Sequence, residues 1–317
     1  HKHLLKMLAA VVGGEEELMK HPPAFIVSGG VVSGYFCPSS PIKWEKDIVE
    51  LLMEYAKWGF PAMIMTCPGG GASTPVTLAG DLVVANAENL TGIVLAQLVN
   101  KGNPVVYAMG ANIMDLKTGI MAHGAPEAAL LWVAAIQLAQ YYGLPSTVPG
   151  LKTDSKQPDE QAGYEKAMTT LLELLAAPSI INFAGPLEDG ILACYEQPVI
   201  DNDILGAMLR ITRGIEVNPD TLAVDLIHRV VESGGNFMTE KHTFKYMRSE
   251  RWYPSLTDRL PYPSWKKQGA KDMRERAREK TKEILDTYYL EPLDPDVERE
   301  LNRLVKKAEK DLLRKAS

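Results

Sequence analysis

The sequence predicts an α/β fold: a (β/α)8 TIM barrel, truncated at its N-terminus, followed by C-terminal helices. Three observations carry this. First, five short apolar runs recur and each ends in glycine: "AFIVSGG" (24–30), "PAMIMTCPGGG" (61–71), "PVVYAMG" (104–110), "LPSTVPG" (144–150) and "SIINFAG" (179–185). Their starts lie about 35 to 43 residues apart, the length of a βα unit with its loops. Second, helical patterns fill the intervals at 44–58, 76–100, 126–142 and 159–177, an alternation that argues for a parallel sheet with crossover helices. Third, no G-x-G-x-x-G opens a helix after the first strand, so a dinucleotide fold loses its main signal. Long loops after every strand instead suit a barrel, whose site gathers at that face. Five strands do not close a barrel of eight, so three units are expected upstream.

Element by element, strands are predicted at 24–29, 61–67, 104–109, 144–149 and 179–184, all parallel. The start, "HKHLLKMLAAVV", has no initiator Met and opens inside an amphipathic helix, with Leu4, Leu5, Leu8, Val11 and Val12 on one face. A missing N-terminal portion is the expectation. Past residue 198 the pattern turns helical, at 199–213, 219–233, 269–287 and 295–315. The aromatic, proline-rich stretch "RSERWYPSLTDRLPYPSW" (248–265) connects these helices. The division read from this is 1–198 for barrel units and 199–317 for a helical portion packed on them.

Composition is that of an ordinary globular chain: 46% of the 317 residues are hydrophobic and 23% charged. A net charge of −6 recommends no nucleic-acid partner. No apolar run reads as a membrane span, and residues 1–20 lack a signal-peptide layout. Cys37, Cys67 and Cys194 make neither a disulfide framework nor a zinc knuckle, which suits a reducing cytoplasm. Nothing has metal-ligand spacing.

Four blocks carry a resemblance. "GGGASTPVTLAGDLVVANAENLTGIVLAQLVNKGNPVVYA", "TDSKQPDEQAGYEK", "YEQPVIDNDI" and "GGNFMTEKHTFKYMRSERW" resemble the trimethylamine methyltransferase family. They lie between residues 69 and 252, with weaker similarity over nearly the whole chain. The resemblance implies a (β/α)8 barrel, and chains longer at the N-terminus. It also implies transfer of a methyl group from a small methylated amine to the cobalt of a separate corrinoid protein. The corrinoid (cobalamin) would be carried by that partner and not bound covalently here, and a cytoplasmic homo-oligomer is expected. In one branch of the family a pyrrolysine, a lysine derivative with an electrophilic ring imine, falls in the loop after a "GLPS" strand. In "GLPSTVPGLKTDSK" that position is Lys152. Other members resemble enzymes acting on quaternary amines such as glycine betaine.

The implied chemistry is a displacement in which cobalt(I) attacks carbon and nitrogen leaves. A quaternary ammonium leaves as a neutral amine. A tertiary amine would leave as an amide anion unless it is first made quaternary, which an imine at position 152 would do. An ordinary Lys152 instead sets two cations in one pocket; at about 4 Å they repel by roughly 4 kcal/mol at an effective dielectric near 20. Asp154 or Asp159 would neutralise it. Plain lysine and pyrrolysine both remain open, as does a solvated loop lysine.

Other candidates follow the strand ends. Asp154, Asp159 and Gln161 would orient substrate or corrinoid, or simply cap the next helix. Gly69 and Gly70, in "CPGGG", would offer backbone N–H groups to a ligand at a helix opening near Thr74–Pro75, or form a tight turn. Tyr35, Phe36 and Tyr107 suit an aromatic cage for an ammonium, or ordinary packing. Glu188 would stabilise the ammonium, and His123 follows the third strand. Lys152, Glu188 and Asp154 are therefore the catalytic candidates. Tyr35, Phe36, Tyr107, Gly69, Gly70, Gln161 and His123 are the substrate-binding ones. A Schiff-base aldolase, built on a strand-end lysine, and a non-catalytic truncated homologue are the competing readings.

Overall fold

A computed structural model describes residues 2–20 and 33–316. Eight strands occur among them: β1 (Gly34–Phe36), β2 (Ala62–Thr66), β3 (Gly69–Gly70), β4 (Val105–Met109), β5 (Asn112–Asp115), β6 (Ile120–Ala122), β7 (Ser146–Pro149) and β8 (Ile180–Asn182). The helices are α1 (Lys2–Val12), α2 (Glu15–Lys20), α3 (Lys46–Lys57), α4 (Leu78–Val99), α5 (Pro126–Tyr141), α6 (Glu160–Leu175) and α7 (Glu196–Thr212). They continue with α8 (Pro219–Leu222), α9 (Val224–Ser233), α10 (Lys241–Tyr246), α11 (Tyr262–Lys267), α12 (Met273–Thr287) and α13 (Pro295–Ala316).

The chain forms two compact units. One comprises the described residues up to Pro149, together with Ala176–Asn182 and the stretch from Thr287 onward. The other comprises Gly150–Leu175 and Phe183–Asp286. The division therefore does not fall at residue 198. Helix α13 packs on α1, and α6 packs on α7, which pulls each away from its neighbours in sequence.

The first unit is built on one five-stranded parallel sheet in the order β1-β2-β4-β7-β8. Spatial order follows chain order, and each neighbour is reached by a helical crossover. Period-two alternation sorts the side chains into two faces. Ala62, Ile64, Val105, Tyr107, Met109 and Val148 point into clusters made by α3, α4 and α5. Met63, Met65, Val106 and Ala108 form a separate cluster on the opposite face. Strands buried on both faces read as continuous apolar runs, which is why β2 and β4 fall inside the predicted ranges; β7, with buried Ser146 and Thr147, and the half-buried β8 fall inside theirs as well. The strand expected at 24–29 lies outside the described residues. The partner of β2 is instead Gly34–Phe36, which the sequence reading left unassigned.

Three further differences have local causes. The stretch after β2 does not open a helix at Thr74–Pro75: α4 begins at Leu78, and the glycines before it form β3, paired with β5. The loop after β4 holds an antiparallel hairpin, β5–β6, joined by a turn at Gly119 with φ 74°. Helix α4 is also long and apolar enough to cross a membrane by length and composition, against the reading of no such run. It carries Asp81, Glu88 and Asn89 fully buried, and it packs on β2 and β4 as the cover of a sheet. In the second half of α1, Leu8 and Val12 meet the core, whereas Val11 is exposed.

In the second unit, Ile200, Leu256 and Ala277 form a small core with Val199, Ile204 and Met273. Asp203 on α7 ties the 248–265 connector to it. Its carboxylate accepts from Ser255 N at 2.7 Å, Leu256 N at 3.1 Å, Thr257 N at 3.0 Å and Thr257 Oγ1 at 2.6 Å. Burial pushes the Asp203 carboxyl up, but these donors outweigh it and hold it below its ordinary value. A carboxyl depressed in the folded state adds stability above its unfolded pKa and loses it as the pH falls through the folded value. Asp203→Asn is therefore expected to cost about 1–3 kcal/mol at neutral pH. The gap to wild type should narrow below about pH 4, where the unfolded carboxyl protonates. Urea midpoints measured from pH 3 to 7 check this; a gap that stays constant counts against it.

Candidate active site

Lys152 lies three residues past β7 in the chain, in the second unit, and only 7% of it is exposed. Its ammonium donates to Asp189 Oδ1 and stands 4.1 Å from the centroid of the Phe183 ring. The polar loop that carries it is tied to the 188–189 turn through backbone: Glu188 N donates to Ser155 O at 2.9 Å and Asp189 N to Thr153 O at 3.1 Å. Helix α6 braces the same loop. Glu165 accepts from Thr153 Oγ1 at 2.6 Å and from Asp154 N at 2.9 Å. Leu151, Phe183, Glu188 and Asp189 all adopt left-handed φ, between 43° and 71°. For residues with a Cβ this costs roughly 1–2 kcal/mol each. Such strain persists where surrounding contacts over-determine it, and it clusters at functional sites.

The other candidates of this unit divide. Asp159 accepts from Ala162 N at 3.0 Å and Ser155 Oγ at 2.7 Å, so it caps α6. The Ala162 N–H, helped by Ser155, holds the Asp159 carboxyl below its ordinary pKa against a smaller opposing effect of burial. Gln161 donates to Glu165 Oε1 at 2.8 Å and so steadies the brace. Glu188 Oε1 lies 3.8 Å from Lys156 Nζ, while its neighbour Asp189 takes Lys152.

In the first unit, Tyr35 is half-exposed on β1 and its phenol is pushed up by burial and by the thiols of Cys67 and Cys37. Phe36 and Tyr107 are fully buried toward the helices. Phe36 packs edge-on against Tyr55, and Tyr107 donates to Asn86 Oδ1 at 2.9 Å. The backbone donors of the glycine loop are used within its own turn: Gly69 N donates to Ser73 Oγ, Gly71 N to Thr74 O, and Ala72 N and Ser73 N to Gly69 O. A side chain at Gly69 would strike Met121 at 2.3 Å, and Gly70 faces the backbone oxygens of Asn112 and Pro75 at 3.5 Å. His123 is buried in the loop between β6 and α5. Buried carboxylates of α4 hold the neighbouring loops, Glu88 accepting from Ile42 N at 2.8 Å and Ser40 Oγ at 3.0 Å, and Asp81 from Thr74 Oγ1.

The model of the trimethylamine methyltransferase (MTTB) family matches residues 3–312. The chain belongs to this family. It is 40% identical over 307 residues to the trimethylamine methyltransferase MttB of Methanosarcina barkeri, which covers 96% of this chain and 60% of that protein. It is 39% identical over 308 residues to MttB of Desulfitobacterium hafniense, covering 97% and 60%. A glycine betaine methyltransferase of Desulfitobacterium hafniense is 33% identical over 306 residues, covering 96% and 62%. The chain thus spans about 60% of the length of the curated relatives it matches.

Four residues of this family member that sequence reasoning passed over belong to the surroundings of Lys152. Asp189 and Phe183 contact it directly. Lys166 and Asp201 hold the segment that carries them. Fully buried, Lys166 Nζ donates to Asp201 Oδ2 at 2.8 Å and to Pro186 O at 2.9 Å. Asp201 also accepts from Gly185 N at 2.6 Å and Gln197 Nε2 at 2.7 Å. Burial pulls the Lys166 ammonium below its ordinary pKa against the pull of Asp201. "LEDG" and "QPVID" show acids but not partners, because the pairing spans 35 residues and more.

Proposed function

We propose that this chain takes part in moving a methyl group from a methylated amine to the cobalt of a corrinoid protein, with the amine engaged at position 152. One observation carries the reading: the Nζ of Lys152 sits between a carboxylate and an aromatic face, a pair that suits a positive nitrogen. Asp189 and Phe183 are themselves partly exposed, while the Lys152 side chain is buried. The five-stranded sheet supports the barrel expectation, since strands adjacent in sequence are adjacent in space and the helices cover one face. We read it as an arc of a (β/α)8 barrel.

Trimethylamine is the amine favoured by similarity, at 40% identity against 33% for the glycine betaine enzyme. It requires an electrophile at position 152, because plain lysine cannot capture a tertiary amine. A pyrroline ring on Nζ would turn the ammonium into a neutral amide, leaving Asp189 and Phe183 to face the substrate's positive charge. If residue 152 is plain lysine, its own charge occupies that place and the substrate must arrive quaternary. The corrinoid partner supplies the cobalt nucleophile; this chain holds, orients and neutralises the amine. The test joins two measurements: the mass of the peptide containing residue 152, and methylcobalamin absorbance with each amine and reduced cobalamin. Trimethylamine turnover by protein carrying plain lysine would sink the link between residue and substrate.

A further inference from the structure

Helices α4 and α5 lie side by side over the three central strands of the first unit, α4 on β2 and β4 and α5 on β4 and β7. Between residues 78 and 100 the chain carries two charged side chains, Asp81 and Glu88, and both are fully buried. Between 128 and 142 it carries none. The outer face of this helix pair is therefore uncharged, in a chain of which 23% is charged. It is also apolar: Val83 is 70% exposed, Leu98 78% and Tyr141 82%, with Val94 and Leu130 more than half exposed. A groove of about 440 Å³ runs between the helices, lined by Val83, Ala134, Leu138 and Tyr141 among others. The neighbouring α3 has an ordinary solvated face, with Lys46, Asp47, Glu50 and Lys57 all exposed. Depletion of charge over a contiguous apolar patch marks the core of an interface.

The spacing of the α4 stripe fits a second copy of itself. Positions 83, 87, 90, 91, 94 and 98 share one outer face at helical period; Val83, Thr91, Val94 and Leu98 are exposed, and Ala87 and Leu90 half-buried. The intervals between them are the same read in either direction: four, three, one, three, four. A two-fold rotation crossing α4 at right angles between Leu90 and Thr91 lays the helix antiparallel on its own copy. It sets Val83 of one copy on Leu98 of the other, Ala87 on Val94 and Leu90 on Thr91. The same rotation lays α5 along α5 of the second copy. At 1.5 Å per residue and about 10 Å across, α4 and α5 present roughly 550 Å² per copy. Two copies then bury about 1,100 Å², above the roughly 1,000 Å² that a specific interface needs. Strands added to the sheet would join its edges, β1 or β8, and leave this face bare. We propose that the α4–α5 face is an isologous interface at which a second copy of this chain pairs, α4 antiparallel on α4. The interface is independent of the amine chemistry.

Sedimentation equilibrium of the chain at micromolar concentration is expected to give a dimer. Val94→Glu and Leu98→Glu each place a charge at an exposed site. Far-ultraviolet circular dichroism should therefore stay that of wild type, while the dimer dissociation constant rises at least about tenfold, because pairing would bury that charge. Cross-linking reads the register, in a chain whose Cys37, Cys67 and Cys194 are replaced by serine. The reagent is a bismaleimide spanning roughly 8–10 Å, one interaxial distance. A mixture of Val83→Cys and Leu98→Cys chains should join as a mixed dimer. Neither should join to itself, because each thiol would lie about 15 residues, or about 22 Å, from its own counterpart. A monomeric chain, a dimer that both glutamate substitutions leave intact, or self-joining of either cysteine substitution as efficient as that of the mixture overturns the proposal. Pelleting of a monomeric chain with phosphatidylcholine vesicles would overturn it too, and assign the face to a lipid surface.

Discussion

Asp201→Ala is expected to destabilise the second unit by about 3–5 kcal/mol, because it strands a buried ammonium. Lys166 is fully buried and its Nζ contacts one carboxylate and one carbonyl. Removing Asp201 takes the only charge partner among the described residues, along with the acceptor for Gly185 N and Gln197 Nε2. The companion double variant Lys166→Met, Asp201→Leu should cost less than Asp201→Ala alone, despite changing two residues. Replacing both members of a buried pair by apolar groups spares the desolvation that removing one imposes. Urea midpoints at neutral pH separate the cases. A loss below about 1 kcal/mol for Asp201→Ala, the range of an exposed pair, would show that the pair does not brace the unit. The double variant also bears on function: it keeps the unit folded while freeing Gly185 and Pro186. The segment carrying Phe183 and Asp189 would then lose two of its anchors.

What the sequence made legible, and what it hid, follows from the range of the forces involved. Strands β2 and β4 were readable because both of their faces are buried and apolar, so each appears as a run, while β7 and β8 were readable from their spacing and the Gly and Pro that bound them. Helices α3, α4, α5 and α6 were readable from period and from punctuation by Gly and Pro. β1 was hidden because three residues, Gly34–Phe36, give no pattern, and it is defined only by pairing with Ala62–Ile64. The β5–β6 hairpin was hidden inside a loop for a similar reason. At the site, position 152 stood out through its resemblance and its polar loop. Its counter-charge did not: Asp159, near in sequence, caps α6. Asp189, 37 residues on, is placed by the left-handed turn at 188–189, which no short window of sequence encodes. Aromatic residues near strand ends were ambiguous in the same way: alternation sends Phe36 and Tyr107 to the helix side and leaves Tyr35 on the other. Domain division was misread because α13 returns to pack on α1, a contact between opposite ends of the chain.

Lys152→Ala should abolish most methyl transfer while leaving the fold intact, and this split is what distinguishes a substrate-engaging residue from a structural one. The stability cost should be about 1 kcal/mol or less, because a third of the Asp189 side chain stays in solvent and can be hydrated once its partner is gone. For trimethylamine, which depends on an electrophile carried at this position, the loss of rate should be at least on the order of 10²–10³-fold. For a quaternary amine the loss should be smaller, since removing an ordinary lysine also removes a like charge beside the substrate. Asp189→Asn gives the complementary reading. It keeps the shape of the turn but removes the negative charge, so the cation that Phe183 and Asp189 hold together is left with the ring alone. An exposed cation–π contact supplies about 0.5–1 kcal/mol, less than the ion pair and ring combined, so weaker amine binding and a higher KM are expected. Thermal unfolding beside methylcobalamin kinetics on the same preparations provides the check. If Lys152→Ala retains wild-type turnover, position 152 is a solvated loop residue, and the assignment of the amine site to it fails.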